Sequence, residues 1–259
     1  MPKRADELLA DLGLVESRSK ARALIEEGKV LADSKTVDKP SRKLSEDAKI
    51  EILADSKALK FVSRAGLKIE KILDELDLNV SGFEIIDIGA STGGFTDCLL
   101  SRGAKFACCV DVGSGQLHEK LRIDPRVRNL EKTDARSLNS EILEGKSFDL
   151  LCADLSFISL EKVIAPLVKF VKPGGYFILL VKPQFETPPE LLRRTKGIIR
   201  DENLQLAALE KIKKFAAENL SELEYICDIP SPIKGGDGNR EFLLALRKNR
   251  PKARRAMNL

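Results

Sequence analysis

The stretch EIIDIGASTGGF (84–95) decides how this chain is read. Its first half is an apolar, β-branched run of strand length. Its second half breaks at Gly89, Gly93 and Gly94, and helical spacing of apolar residues starts at Phe95. A strand that turns through glycines into a helix lets a ligand approach backbone N–H groups, and the helix start favours a carboxylate or phosphate there. A purely structural turn has the same form, so the flanking sequence has to separate the two readings.

Outward from this stretch the pattern repeats. Further apolar strands are predicted at 105–111, 127–131, 148–154 and 176–182, with helices at 95–102, 160–171 and 203–219. Two closing strands, 224–230 and 241–247, are joined by the turn-rich SPIKGGDGN. Strands alternating with amphipathic helices predict an α/β fold with a Rossmann-like seven-stranded sheet, mostly parallel with an antiparallel last strand. Before residue 61 the reading differs. Leu8, Leu9, Leu12 and Leu14, then Ala21, Leu24 and Ile25, recur at helical spacing, with Ser17 as N-cap and Gly28 as stop, and 29–37 and 44–53 read as short strands. The expected organisation is a small α+β domain over 1–53, a polar linker over 54–60, the α/β domain over 61–247 and a basic tail over 248–259.

Composition narrows the class. With 43% hydrophobic and 32% charged residues the 259-residue chain is folded rather than disordered. No apolar run approaches the roughly 20 residues needed to cross a bilayer. The start, MPKRADELLADLGL, mixes charges with its apolar residues, so no signal peptide is expected and a cytoplasmic setting is. Five cysteines without metal-ligand spacing and a single histidine, His118, predict reduced thiols and no metal. The net charge of +4 is misleading: the last thirteen residues hold six Lys or Arg and no acid, so the rest of the chain carries −2. The basic balance reports a tail that is sticky for phosphate or merely solubilising, and not a basic folded body.

The glycine spacing departs from the dinucleotide fingerprint, because Ser91 stands where G-x-G-x-x-G requires its second glycine, and this disfavours NAD. Asp111 ends the next strand, where an acidic side chain can bind two ribose hydroxyls. Together these features suit S-adenosylmethionine, its ribose on Asp111 and its methionine part on the loop at 89–94. The cofactor-binding set is Asp87, Gly89, Ala90, Ser91, Thr92, Gly93, Gly94, Asp111, Val112, Asp134 and Asp154. Asp134 reads either as a partner near adenine or as a solvated loop carboxylate.

Asp154 closes the fourth strand of this domain and Lys182 the fifth. With Lys68 and Glu241 they compose a Lys-Asp-Lys-Glu cluster above the donor methyl, in which Lys182 orients or deprotonates an attacking hydroxyl while the other three position it and balance charge. The turn AspLeuSerPhe (154–157) lacks the Pro-Pro of amino-nitrogen methylation. Cys152, two residues inside the strand, reads as a core thiol rather than the nucleophile of carbon methylation.

These residues resemble the TlyA-type, hemolysin-labelled 16S/23S rRNA cytidine-2′-O-methyltransferases, whose catalytic domain is similar to FtsJ-like ribose methyltransferases. The resemblance runs over nearly the whole chain through GluSerArgSerLysAlaArgAlaLeuIle (16–25), ValSerArgAlaGlyLeuLys (62–68), AspIleGlyAlaSerThrGlyGlyPheThrAsp (87–97), AspLeuSerPheIleSer (154–159), LysProGlnPheGlu (182–186) and SerProIleLysGlyGlyAspGlyAsnArgGluPhe (231–242). It implies a class I methyltransferase sheet behind a ribosomal-protein-type RNA-binding domain, and a catalytic tetrad of Lys68, Asp154, Lys182 and Glu241. It also implies ribosomal RNA or ribosomal subunits as partner, and RNA contacts for Arg4, Arg18, Lys20, Arg22 and Arg64. AspAlaArg (134–136) departs from the AsnAlaArg of many members, which leaves the role of Asp134 open. Two rival readings are a non-catalytic RNA-binding ribosome-assembly factor and a membrane-active hemolysin. An intact cofactor loop argues against the first, the lack of a pore-forming segment against the second.

Overall fold

The computed structural model describes residues 2–54, 56, 60–192, 197–235 and 238–250. Part of the expected linker (55 and 57–59), two residues of the closing turn (236 and 237) and the tail from 251 onward lie outside the described residues. The chain divides into two compact units, Met1–Leu67 and Lys68–Leu259.

In the first unit, β1 (Lys3–Arg4) leads into α1 (Ala5–Asp11) and α2 (Arg18–Glu26), followed by β2 (Val30–Ala32), β3 (Lys35–Thr36), β4 (Lys43–Leu44) and β5 (Ile50–Ile52). Ser17 caps α2 by accepting from the Lys20 N–H, satisfying one of the donors a helix start leaves orphaned. The segment 29–37, expected as one strand, is a hairpin. Asp33 and Ser34 both adopt positive φ, 50° and 63°, as a two-residue turn matched to strand twist requires. β2 pairs β3 on one side and β5 on the other, β1 pairs β4, and Leu8, Leu9, Leu24, Ile25, Val30 and Val37 fill the core.

α3 (Ala65–Glu75) carries Lys68 and buries Ile69, Ile72 and Leu73. Beyond it come β6 (Glu84–Ile88), α4 (Gly94–Ser101), β7 (Phe106–Val110), α5 (Glu119–Arg122), β8 (Val127–Leu130), β9 (Phe148–Ala153) and β10 (Val171–Val181). α6 (Pro183–Glu186), α7 (Pro189–Leu192), α8 (Glu202–Asn219), β11 (Leu223–Pro230) and β12 (Phe242–Lys248) complete the chain. The seven strands form one sheet in the order β11-β12-β10-β9-β6-β7-β8. β8, β7, β6, β9 and β10 run parallel, and β12 inserts antiparallel between β10 and β11. Alternate residues serve opposite faces. Ile86, Ile88, Leu151, Phe177, Leu179, Leu244 and Leu246 pack with Leu209, Ile212 and Ala216 of α8, while Ile85, Leu150, Ile178, Leu180 and Leu243 are buried on the other face.

The helix expected over 160–171 is corrected to two 3-10 turns, Leu160–Lys162 and Ala165–Phe170. Pro166 supplies no N–H for an α-helical bond to residue 162, and its ring would meet that carbonyl. β10 also starts earlier than expected, at Val171, because Lys172 to Gly175 run on through a register irregularity against β9.

Phe177 is fully buried between β9 and β12 partners. Phe177→Ala should lower unfolding free energy by about 3–5 kcal/mol, read as a shifted urea midpoint with little change in slope.

Candidate functional site

The carboxyl ends of β6, β7 and β9 open onto a cleft of about 470 Å³ lined by Gly89, Ser91, Asp111, Val112, Asp134 and Asp154, with Gln116, Thr133, Arg136 and Phe157. Ligands of open α/β sheets bind at this end. Gly89 has φ 76°, and a Cβ there would lie 2.6 Å from the Asp154 carbonyl oxygen, so only glycine fits where the two strand ends converge. Asp111 is held by two backbone donors, Ser91 N–H at 2.8 Å and Gly113 N–H at 2.8 Å, one on each carboxylate oxygen. Each oxygen keeps a further acceptor site, which suits a vicinal diol. Val112, Ala135, Leu155, Ile158 and Val163 give the cleft an apolar wall.

Asp154 belongs to this cleft and to a charged cluster. Its Oδ1 lies 2.6 Å from Lys182 Nζ and its Oδ2 3.9 Å from Lys68 Nζ, and Lys68 also pairs with Glu241 at 2.7 Å. Lys182 Nζ donates to Ser156 Oγ at 3.0 Å. Glu241 is 2% exposed, so its charge requires the lysine. Four residues from α3, the end of β9, the end of β10 and the entry to β12 thus meet, two cations against two carboxylates.

A second network supports this arrangement. Buried Glu186 of α6 accepts from the Leu160 N–H at 2.9 Å and from Ser159 Oγ, and pairs with Lys211 of α8 at 3.3 Å. It ties the 154–160 loop to the segment that begins at Lys182. Within that loop Phe157 adopts φ 65°, is 91% exposed, and lies with its ring centroid 5.2 Å from that of Phe185.

The other predicted residues are placed less directly. Asp87 lies under α4, 1% exposed, and accepts from Thr96 N–H at 3.2 Å and Thr96 Oγ1 at 2.8 Å. Ala90, Thr92, Gly93 and Gly94 shape the turn and the start of α4 without lining the cleft. Asp134 forms a bidentate pair with Arg136, at 3.0 Å from Nε and 2.6 Å from Nη2, which holds its carboxyl below the usual range. Cys152 is fully buried, and burial pushes its thiol well above the usual value. Gln116, Arg136, Ser156 and Phe157 line the cleft without having been singled out; their signal is position, just past strand ends.

In the first unit Arg4 and Arg18 converge on Asp6, 1% exposed, at 2.9 and 3.2 Å. Burial alone would raise the Asp6 carboxyl, and hydrogen bonds from the two arginines outweigh it and hold it below its usual value. Lys20 pairs with Glu16 at 3.2 Å and Arg64 with Glu26 at 3.3 Å, while Arg22 is exposed and makes no ion pair among the described residues.

Comparison with known proteins finds matches for both parts of the chain. Residues 61–248 match the FtsJ-like methyltransferase model and residues 3–50 the S4 domain model. YqxC of Bacillus subtilis is 42% identical over 246 residues, covering 94% of this chain and 85% of that protein. The 16S/23S rRNA (cytidine-2′-O)-methyltransferase TlyA of Mycobacterium tuberculosis is 38% identical over 256 residues, covering 99% and 94%. A solved structure from Streptococcus thermophilus bearing the hemolysin label superposes with a TM-score of 0.75 at 38% identity, covering 96% of this chain and 89% of that one.

Burial raises the Asp87 carboxyl from 3.8 to about 6, against the hydrogen bonds from Thr96. Between those values the folded state keeps a proton that the unfolded chain has released, so this contribution to stability falls as pH rises through the window. The stability of Asp87→Asn relative to the unsubstituted protein should therefore climb from pH 4 to pH 6. A pH-independent difference would show that Asp87 does not titrate there.

Proposed function

The chain belongs to the FtsJ-like methyltransferase family, and on that premise we propose that it methylates the 2′-hydroxyl of cytidine ribose in 16S or 23S rRNA, using S-adenosylmethionine. The observation that carries the reading is the double role of Asp154, which lines the cleft and pairs with both lysines of the cluster.

The cleft residues fit the methyl donor. Asp111 offers the two acceptors that a ribose diol needs, the apolar wall suits an adenine face, and Gly89 and Ser91 line the part of the cleft beside the loop that the donor's amino-acid part would take. S-adenosylmethionine supplies an electrophilic methyl group on a sulfonium. The protein's own share is orientation and proton handling. Lys182 Nζ would donate to the 2′-oxygen and orient its lone pair toward the donor methyl; as the C–O bond formed and the methyl–sulfur bond broke, the hydroxyl proton would pass to Asp154, directly or by relay through the Lys182 ammonium 2.6 Å from it. Lys68 and Glu241 hold Asp154 in register and keep the cluster neutral.

RNA recognition is assigned to the S4 domain, through Arg4, Arg18, Lys20, Arg22 and Arg64, with ribosomal RNA or subunits in the cytoplasm as partner. No helix among the described residues is long and apolar enough to cross a membrane. Ribose hydroxyls line the open minor groove of A-form RNA, where shape and phosphate contacts give most of the selectivity. The exposed ring of Phe157 offers a stacking face for the base whose ribose enters the cleft.

Incubating purified ribosomal subunits of both sizes with radiolabelled S-adenosylmethionine and the protein should place label in an alkali-resistant dinucleotide. Lys182→Ala should lower the rate by roughly 10²–10⁴-fold with donor binding retained. Label on a base would overturn the hydroxyl chemistry. Phe157→Ala should lose about 1–3 kcal/mol of base stacking, seen as a fall in kcat/KM for RNA without weaker donor binding; an unaltered kcat/KM would remove the ring from the reading.

A further inference from the structure

A second recess, about 650 Å³, is lined by Ile199, Arg200, Ser231, Ile233, Lys234 and Arg240. Its walls are fixed by buried amides. Asn239 accepts from the Ile199 N–H at 2.9 Å and donates to the Gly197 carbonyl at 2.9 Å, and Gln205 of α8 donates to the Ile199 carbonyl at 2.7 Å. Both side chains are buried, so they hold the chain ahead of α8 against the turn that enters β12. The same turn leads into Glu241, the carboxylate paired with Lys68. Arg240 directly precedes Glu241, and a Cβ on Gly235 would lie 2.6 Å from Glu241 Oε1.

Three cations face this recess. Arg240 pairs with Glu202 at 2.8 Å, whereas Arg200 and Lys234 are exposed and make no ion pair among the described residues. The N-terminus of α8 is already satisfied, since Asp201 accepts from the Asn203 and Leu204 N–H groups. Like charges gathered on an apolar backing of Ile198, Ile199, Pro232 and Ile233 repel one another and gain from an anion with several oxygens.

We propose that this recess is a phosphate site for the substrate strand: Arg200 and Lys234, with Arg240 as a third donor, bind a backbone phosphate flanking the nucleotide whose ribose reaches Lys182. The proposal rests on the RNA substrate assigned above and extends it, because a ribose at the cluster brings its flanking phosphates toward the turn that Arg240 and Glu241 share. A phosphate contact of this kind sets register and carries no base identity.

The test uses the full-length protein and transcribed 16S and 23S rRNA, measuring RNA affinity across a salt series for the native chain, Arg200→Gln/Lys234→Gln, Lys234→Gln alone, and the charge-keeping pair Arg200→Lys/Lys234→Arg. Removing one single-strand phosphate contact should flatten the slope of log affinity against log salt by about 0.7. RNA KM should rise while S-adenosylmethionine affinity stays level, and the charge-keeping pair should restore both. Lys234→Gln, a change at an exposed side chain, should show part of the same shift, so a folding defect in the double variant would not hide the result. A native slope in both glutamine variants overturns the phosphate site while leaving ribose methylation standing. Failure of the native protein to bind either RNA overturns both.

Discussion

The convergence of two strand ends at Gly89 and Asp154 constrains everything chemical in this molecule. β6 and β9 pair in parallel register, the Asp154 N–H continues the ladder to the Ile88 carbonyl, and the space left between the chains holds no side chain at position 89. One backbone contact therefore sets the distance between the turn that shapes the cleft and the carboxylate that organises the lysines. Loops could not hold both to the same tolerance, because only the sheet fixes their relative height.

Charge balance follows from that geometry. Asp154 alone could not keep two ammonium groups close together without strong repulsion, and the buried Glu241, delivered by the antiparallel β12, neutralises the second. The antiparallel insertion thus has a chemical consequence. It brings the beginning of a strand to the end of the sheet where the parallel strands finish, so a residue from the entry of β12 can join residues from the exits of β9 and β10.

Much of this was legible because parallel strands announce themselves. Fully buried strands are continuous apolar runs, and the first charged residue after each run marks the end of the sheet where Asp111, Asp154 and Lys182 stand. What escaped depended on local chemistry or on distance. Asp33-Ser34 lacks the Asn-Gly signature of a tight hairpin, so the break at 33–34 was invisible, and Pro166 was outweighed by the apolar spacing around it. Asp87 sits in the quoted motif, yet strand alternation sends it to the face opposite Ile86 and Ile88, under α4. The exposed Phe157 ran against the usual burial of aromatics, and the bond from the Leu160 N–H to Glu186 spans 26 residues without a local pattern.

The Asp6 clamp in the first unit has a bearing on recognition. Arg4 spends its Nε and one terminal nitrogen on Asp6, which leaves three of its five N–H donors for an incoming strand. The guanidinium plane is thereby oriented at folding, and the rotamer entropy that a free arginine would lose on meeting RNA has already been lost. In the proposed RNA-binding role, Arg4 and Arg18 would act as a rigid stencil rather than a cloud of positive charge. Such a surface rewards an RNA whose phosphates already lie at the right spacing, and it gives little to a flexible strand that would have to be bent into place.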